Sequence, residues 1–469
     1  MADTIQNNFN GILEISNDLT VAFNVSNNIV MLIPLPEQIE AMTNHFQSEP
    51  EFDKNKGIWM FGSTEKGEKV AFLRKHKIHR GFSTYDIGAV KFRAALMLIG
   101  PKYQRNSMNS KSFNTIDLYG GIIDRLHPPS IAFNDIFWEG AITINKPDLF
   151  QKTFEVNVNQ ENIVVTYSVN ISCSIKKDKA PNFNEDTHSF FRMKFESSHS
   201  FDDIWKYYIY GYKLFQFCSG RQNVSSEIRL YEYEDSQPIR VIFQDDFDDY
   251  AQDVLDSMRV VQLVQLGDKF PCLFKLLNEE KSEPNLLFLP EKNRYWNLIK
   301  YSDVTDLCSA LDREYAKSKL DHRSKQDKES AKALREDINE FIDALDSYPD
   351  YIISKAKALL NQLNSYSPSL KEKISIITDL YYDPSKEITQ RKGHDLAGIP
   401  FFTREQFDRK IVEIKKIRDN SAHAGVFWNE GIDIFSHLKL FVYYSILKRA
   451  GYNIEESTMI LSGLFSLYF

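Results

Sequence analysis

Near residue 290 the spacing of apolar residues changes, and this constrains the fold more than any other feature of the chain. Before it, runs such as "VAFNVSNN", "KVAFLRKH", "ITINK", "TFEVNV" and "NIVVTYSVNISCSI" are β-branched or aromatic and many alternate. Clusters of Asn, Asp, Gly and Pro punctuate them, which is the pattern of half-buried strands. "SSEIRLYEYE" and "PIRVIFQ" continue it. One helix interrupts, "SFDDIWKYYIYGYKLFQFCSG", with Ser200 as its expected cap, two Asp in the first turn and Gly220 placed to end it.

From "YSDVTDLCSALDREYAKSKL" onward the period is helical. "KESAKALREDINEFIDALD" sets Leu334, Ile338, Phe341 and Leu345 on one face. "DYIISKAKALLNQL" and "SLKEKISIITDLYY" follow, the second after Pro368. "TREQFDRKIVEIKKIRDNSAH" opens on a capping box, with Thr403 as cap and Gln406 three residues on. "GIDIFSHLKLFVYYSILKRAG" is apolar nearly all round, the mark of a central buried helix. The expected fold class is therefore α+β and multidomain: a β-rich domain over residues 1–290 and a bundle of about six helices over 291–469. A length of 469 residues also argues against a single core.

Composition narrows the functional classes. The net charge of −8 disfavours a protein that coats long duplex nucleic acid, although it leaves room for a local basic groove. Cys173, Cys218, Cys272 and Cys308 are widely separated and form neither a CxxC pair nor a zinc-spaced cluster. They read as four buried thiols in a reducing compartment. "MADTIQNNFN" does not read as a secretion signal, and the longest apolar runs are too short to span a bilayer. The expectation is a cytoplasmic protein with no membrane partner and no metal or other cofactor.

One short stretch points to chemistry. In "IRDNSAHAG", the apolar stripe of Phe407, Ile411 and Ile414 leads to Arg418 in the next slot, and His423 follows just before Gly425. A guanidinium on a buried stripe requires an anionic partner, an aqueous cleft or a subunit interface. Residues five apart on an unbroken helix diverge by about 140°. Arg418 and His423 thus converge only where the helix ends, and Gly425 is well placed to end it. Two other matches, Arg74-x4-His79 and Arg192-x6-His199, lie in the strand-rich half without that geometry. The bland alternative is an Arg that caps carbonyls in a last turn, beside a half-buried His.

The segment resembles the signature of the HEPN superfamily, small helical bundles that carry Arg-x(4–6)-His with a polar residue after the Arg, here Asp419. The family's acidic residue on an early helix, in an Ala-Leu-Glu context, corresponds to Asp312 in "CSALDREY", with Glu314 as the alternative. The order of a long β-rich domain, a helix ending "LFQFCSGRQNVSSEIRLYE" and a C-terminal bundle is similar to the ApeA-like abortive-infection effectors of bacteria. The resemblance implies a metal-independent endoribonuclease acting on cellular RNA, with tRNA as a candidate substrate, within a homodimer or higher homo-oligomer. It also implies an N-terminal domain that answers a phage-derived trigger. The other reading is a non-catalytic HEPN module that binds RNA or nucleotide, or only dimerises, joined to a ligand-sensing β-domain.

Other features are weaker. "RKHKIHR", Arg74 to Arg80, reads as a solvated edge strand, and His76 and His79 lack further ligands for zinc. "DLYGGIIDRL" holds Gly120 and Gly121 at a turn with no phosphate-loop pattern. "LIGPKYQRNSMNSKSF" is a polar, basic loop after a strand. Tyr207, Tyr208, Tyr210 and Tyr212 occupy different faces of one helix, as packing residues do.

Overall fold

The computed structural model describes residues 8–26, 28–48, 57–75, 90–102, 108–136, 141–171, 187–243, 260–290, 300–318, 325–344, 348–364, 369–381, 404–420 and 432–465. Antiparallel strands come first and helices second, an α+β arrangement. The chain divides into two compact units, residues 1–281 with 291–293, and residues 282–290 with 294–469.

The first unit opens with β1 (Phe9–Ser16), β2 (Leu19–Ser26), β3 (Ile29–Ile33), β4 (Ile58–Thr64), β5 (Lys69–Arg74), β6 (Val90–Arg93) and β7 (Leu96–Ile99). Helix α1 (Ile39–Gln47) lies between β3 and β4. The strands run β7-β5-β4-β1-β2-β3-β6 in space. β6 and β7 are halves of one bent run joined through Ala94 and Ala95, so pairing β6 to β3 and β7 to β5 closes the strip into a small barrel. The rings of Phe72 on β5 and Phe92 on β6, at opposite ends of the strip, meet at 6.5 Å across the interior. Alternation fills that interior with Leu13, Val21, Phe23, Val25, Val30, Leu32, Val70 and Phe72, and Met42 of α1 joins them. β1 and β4 cross so closely that a Cβ on Gly62 would sit 2.3 Å from the Ile12 carbonyl oxygen, which is why glycine stands there.

A second layer continues from β7. β8 (Ser112–Tyr119) is followed by the separate hairpin β9 (Phe133–Ile136) and β10 (Ala141–Ile144), then β11 (Lys152–Val158), β12 (Glu161–Asn170), β13 (His188–Ser200), β14 (Glu227–Tyr231) and β15 (Ile239–Phe243). Their order is β11-β12-β13-β8-β14-β15, and β15 pairs with β7. Register aligns one apolar row, Val165, Met193, Ile116 and Leu230, and a second, Tyr167, Phe191, Leu118 and Ile228. Helices α2 (Gly121–Leu126), α4 (Ile204–Ser219) and α5 (Phe270–Asn278) pack here, while α3 (Pro147–Phe150) lies by β12. The Phe191 ring meets Phe215 at 5.4 Å and Phe274 at 6.1 Å.

The interrupting helix begins and ends where its sequence indicates. The Ser200 hydroxyl accepts from the Asp202 amide at 3.2 Å, a short 3₁₀ turn feeds α4, and Gly220 closes it at φ 66°. Tyr207, Tyr208 and Tyr210 are buried and Tyr212 is half-buried. Several local expectations are corrected. Of "RKHKIHR" only Arg74 and Lys75 are among the described residues; Arg74 ends β5, which pairs with both β4 and β7, and it is fully buried over the Phe46 ring rather than solvated. Cys272 is exposed on α5, because it falls on the polar side of that helix, whereas Cys218 and Cys308 are buried. Cys173, His76 and His79 lie outside the described residues.

The second unit holds α6 (Tyr301–Lys317), α7 (Lys325–Asp343), α8 (Asp350–Asn364), α9 (Leu370–Tyr381), α10 (Arg404–Asn420), α11 (Ile432–Arg449) and α12 (Ile454–Phe465), seven helices among the described residues rather than about six. Every pair among α6, α9, α10 and α11 is in contact, and α12 packs on α11. Residues Leu438 to Leu447 of α11 are all buried, as an all-round apolar helix requires. α7 packs on α8 with Ile342 buried, while Leu334 and Phe341 are 49% and 61% exposed. Two residues of the expected stripe, Leu334 and Phe341, are thus turned outward, while Ile338 is half-buried. Leu345 and Thr403 lie outside the described residues. No helix among the described residues is long and apolar enough to cross a membrane.

Candidate functional site

The four-helix core positions the residues singled out by sequence. On α10, Ile411 and Ile414 are fully buried, and Arg418 follows at the same helical spacing. Arg418 is half-buried and occupies the last turn, where a cation also meets the negative end of the helix. The backbone of Asp419 continues the helix to Asn420; its side chain, like His423 and Gly425, lies outside the described residues. Arg418 therefore sits at a helix end on the packed stripe, and its relation to His423 is not part of the described structure.

α6 packs on α10 and carries both acidic candidates. Asp312 is half-buried, and its Oδ1 lies 3.0 Å from Lys373 Nζ on α9. Lys373 also lies 5.7 Å from the centre of the Tyr315 ring. Glu314 is 0% exposed, and its carboxylate accepts two bonds from Arg449 of α11, from Nε at 2.8 Å and Nη2 at 2.8 Å. Burial raises the Glu314 carboxyl above its usual range even though Arg449 pulls the other way. Arg449 Nη1 donates to the Ser282 carbonyl at 2.9 Å, and Lys317 donates to the Glu283 carbonyl. Glu314 is thereby committed to tying the segment 282–290 to the ends of α6 and α11.

Sequence reasoning missed Lys439. It is the one charged residue within the buried stretch of α11, and burial pushes its ammonium down to about 7, against the opposing pull of Asp303. Asp303 is itself raised by burial while it accepts from the Lys300 amide at 2.8 Å as part of the α6 cap. The available signal was a lone Lys inside "HLKLFVYYSIL".

The other Arg/His match in the first unit has structural partners. Arg192 donates to both oxygens of the fully buried Asp117 at 2.7 Å each, and Tyr119 donates to the same carboxylate at 3.0 Å. His199 Nε2 lies 2.5 Å from Glu161, and Tyr207 donates to Glu161 at 2.9 Å. These two residues are separate features of β13, each placed beside a different carboxylate.

No family model, curated protein or solved structure matches the chain.

Proposed function

We propose that the helical unit is a metal-independent endoribonuclease of the HEPN type, acting in an ApeA-like manner as a toxic effector against phage. The observation that carries this reading is Arg418, a guanidinium placed at the end of a buried stripe in the last turn of a packed helix. Such a position suits a fixed cation that braces charge developing on a phosphate.

RNA brings its own nucleophile. In the proposed reaction His423 takes the 2′-OH proton or protonates the leaving 5′-oxygen, for which an imidazole is suited near neutral pH. Attack of the 2′-oxygen on phosphorus breaks the bond to the 5′-oxygen and leaves a 2′,3′-cyclic phosphate and a 5′-OH end. Arg418 holds the non-bridging oxygens, and Asp419 and Asp312 support the pair. Two copies of the domain line one cleft, and the substrate is cellular RNA, with tRNA as the first to examine. The N-terminal unit restrains the activity until a phage-derived trigger arrives.

The test is induced expression in bacteria of the wild type, Arg418→Ala and His423→Ala, with total RNA read for new 5′-OH ends. Each substitution is expected to reduce cleavage by about a hundredfold or more. If all three proteins fold and behave alike, the pair is structural and the unit is a binding or dimerisation module.

A further inference from the structure

The outer face of the barrel is not uniformly polar. On β3 the interior takes Val30 and Leu32, so Ile29, Met31 and Ile33 point outward. Register sets Ile33 beside Ala22 of β2, and Ala22 beside Ile12 of β1. Ile12, Ile29 and Ile33 are 57%, 44% and 46% exposed, and Ala22 is exposed between Ile12 and Ile33. Neighbouring strands lie about 5 Å apart, so the two isoleucines wall a shallow notch with the small Ala22 as its floor. Single exposed isoleucines suit strands and need no partner. Here they are contiguous, on a barrel whose interior is already filled, and such a patch marks a binding surface.

The next strand supplies charge. β6 buries Phe92 and turns Lys91 and Arg93 outward, Lys91 opposite Met31 and Arg93 opposite Ile29. Both are exposed, and no carboxylate among the described residues pairs with either. The asparagines that continue the Met31 row satisfy each other, Asn24 donating to Asn10 at 2.7 Å. Beyond the notch β1 presents one exposed carboxylate, Glu14, opposite Thr20 and Phe61. Two cations are too few to grip a nucleic-acid backbone, and aliphatic side chains give bases nothing to stack on. An anionic membrane is disfavoured by Glu14 and by the net charge of −8. A second copy of this face offers only Glu14 to two cations. A different protein meets both halves of the face, because one helix can set aliphatic groups and carboxylates about 5 Å apart.

We propose that the outer face of β1, β2, β3 and β6 docks a second protein, which presents aliphatic side chains to Ile12, Ile29 and Ile33 and carboxylates to Lys91 and Arg93. This surface stands apart from the nuclease reading, because it belongs to the first unit and its test reads binding rather than cleavage.

Immobilised full-length protein is panned with a random-peptide display library. The recovered peptides are synthesised, and their affinity is measured for the wild type, for Ile12→Thr, for Ile33→Thr and for Lys91→Glu combined with Arg93→Glu. The peptides are expected to combine Asp or Glu with aliphatic residues and to bind each variant about tenfold or more weakly than wild type. Added salt is expected to weaken wild-type binding. All variants are expected to unfold close to the wild-type temperature, since the altered side chains are exposed and Thr suits a strand. Peptides that bind the variants as tightly as wild type, or that need this face yet lack acidic residues, overturn the proposal. So does an Ile33→Thr protein that melts well below wild type, which makes the row a packing feature. A wild-type dimer that Ile33→Thr abolishes in sedimentation assigns the face to a second copy. Anionic vesicles or an oligodeoxynucleotide that bind through Lys91 and Arg93 assign it to another class of ligand. Either result also overturns the proposal.

Discussion

His127 illustrates how one side chain ties stability to pH. It is almost fully buried, its Nε2–H donates to the Phe150 carbonyl at 2.7 Å, and its ring lies 5.0 Å from that of Tyr167. Burial lowers the imidazole below its ordinary pKa, with the Phe150 bond opposing. The folded state thus favours the neutral ring while the unfolded chain takes up a proton near pH 6.5. Its contribution is intact above that pH and is lost as pH falls through it. The unfolding temperature is expected to drop between pH 7.5 and 5.5, and His127→Gln to shrink that drop; equal slopes in the two proteins refute the assignment. Glu314 carries a larger stake. Glu314→Ala leaves the 13% exposed Arg449 without its buried partner and is expected to cost about 3 kcal/mol in a denaturant titration. Replacing both partners with Met is expected to recover much of that loss, since neither charge then remains buried.

Elements were legible where their signals are local. Ser200 and Gly220 mark the ends of α4 because capping and a left-handed residue are decided within a turn of chain. Alternation marked β2 and β12 for the same reason. The outward turn of Leu334 and Phe341 on α7 was not legible: with Ile338 they fix a helix and an apolar stripe, but how that stripe packs depends on α8. The neighbours of β5 were likewise hidden, since nothing within "KVAFLR" records that β4 and β7 flank it. Glycines sharpen this at the element scale. A Cβ at position 211 of α4 would meet Leu118 Cδ1 at 2.4 Å, so the helix lies tight on β8. Gly211→Ala improves helix propensity by up to about 1 kcal/mol but is expected to lose about 1–3 kcal/mol to overpacking, a net lowering of unfolding temperature. An Ala variant more stable than wild type would mean that Leu118 gives way easily.

At the scale of the molecule, the segment that follows α5 belongs to the helical unit. Arg449 holds the Ser282 carbonyl and Lys317 holds that of Glu283, from the last turns of two helices. A fragment comprising 282–469 is expected to be more stable than one comprising 294–469, by about 1–3 kcal/mol from the restored charge-assisted bonds. Equal denaturation midpoints would show that these bonds only position the segment. Lys317, pushed down to about 8 by burial, adds a sign: its charged form is disfavoured in the fold, so its contribution improves as pH rises through 8.

The sequence by itself determined the change from strands to helices near residue 290, most element identities and the stripe that carries Arg418. Periodicity and caps act over a few residues, and these features need nothing more. Tertiary structure alone decided that β6 and β7 close a barrel, that Glu314 rather than Asp312 is buried against an arginine, and that Ile12, Ala22 and Ile33 share one outer row. Each of these joins residues far apart in the chain through register and packing, which no short stretch of sequence encodes.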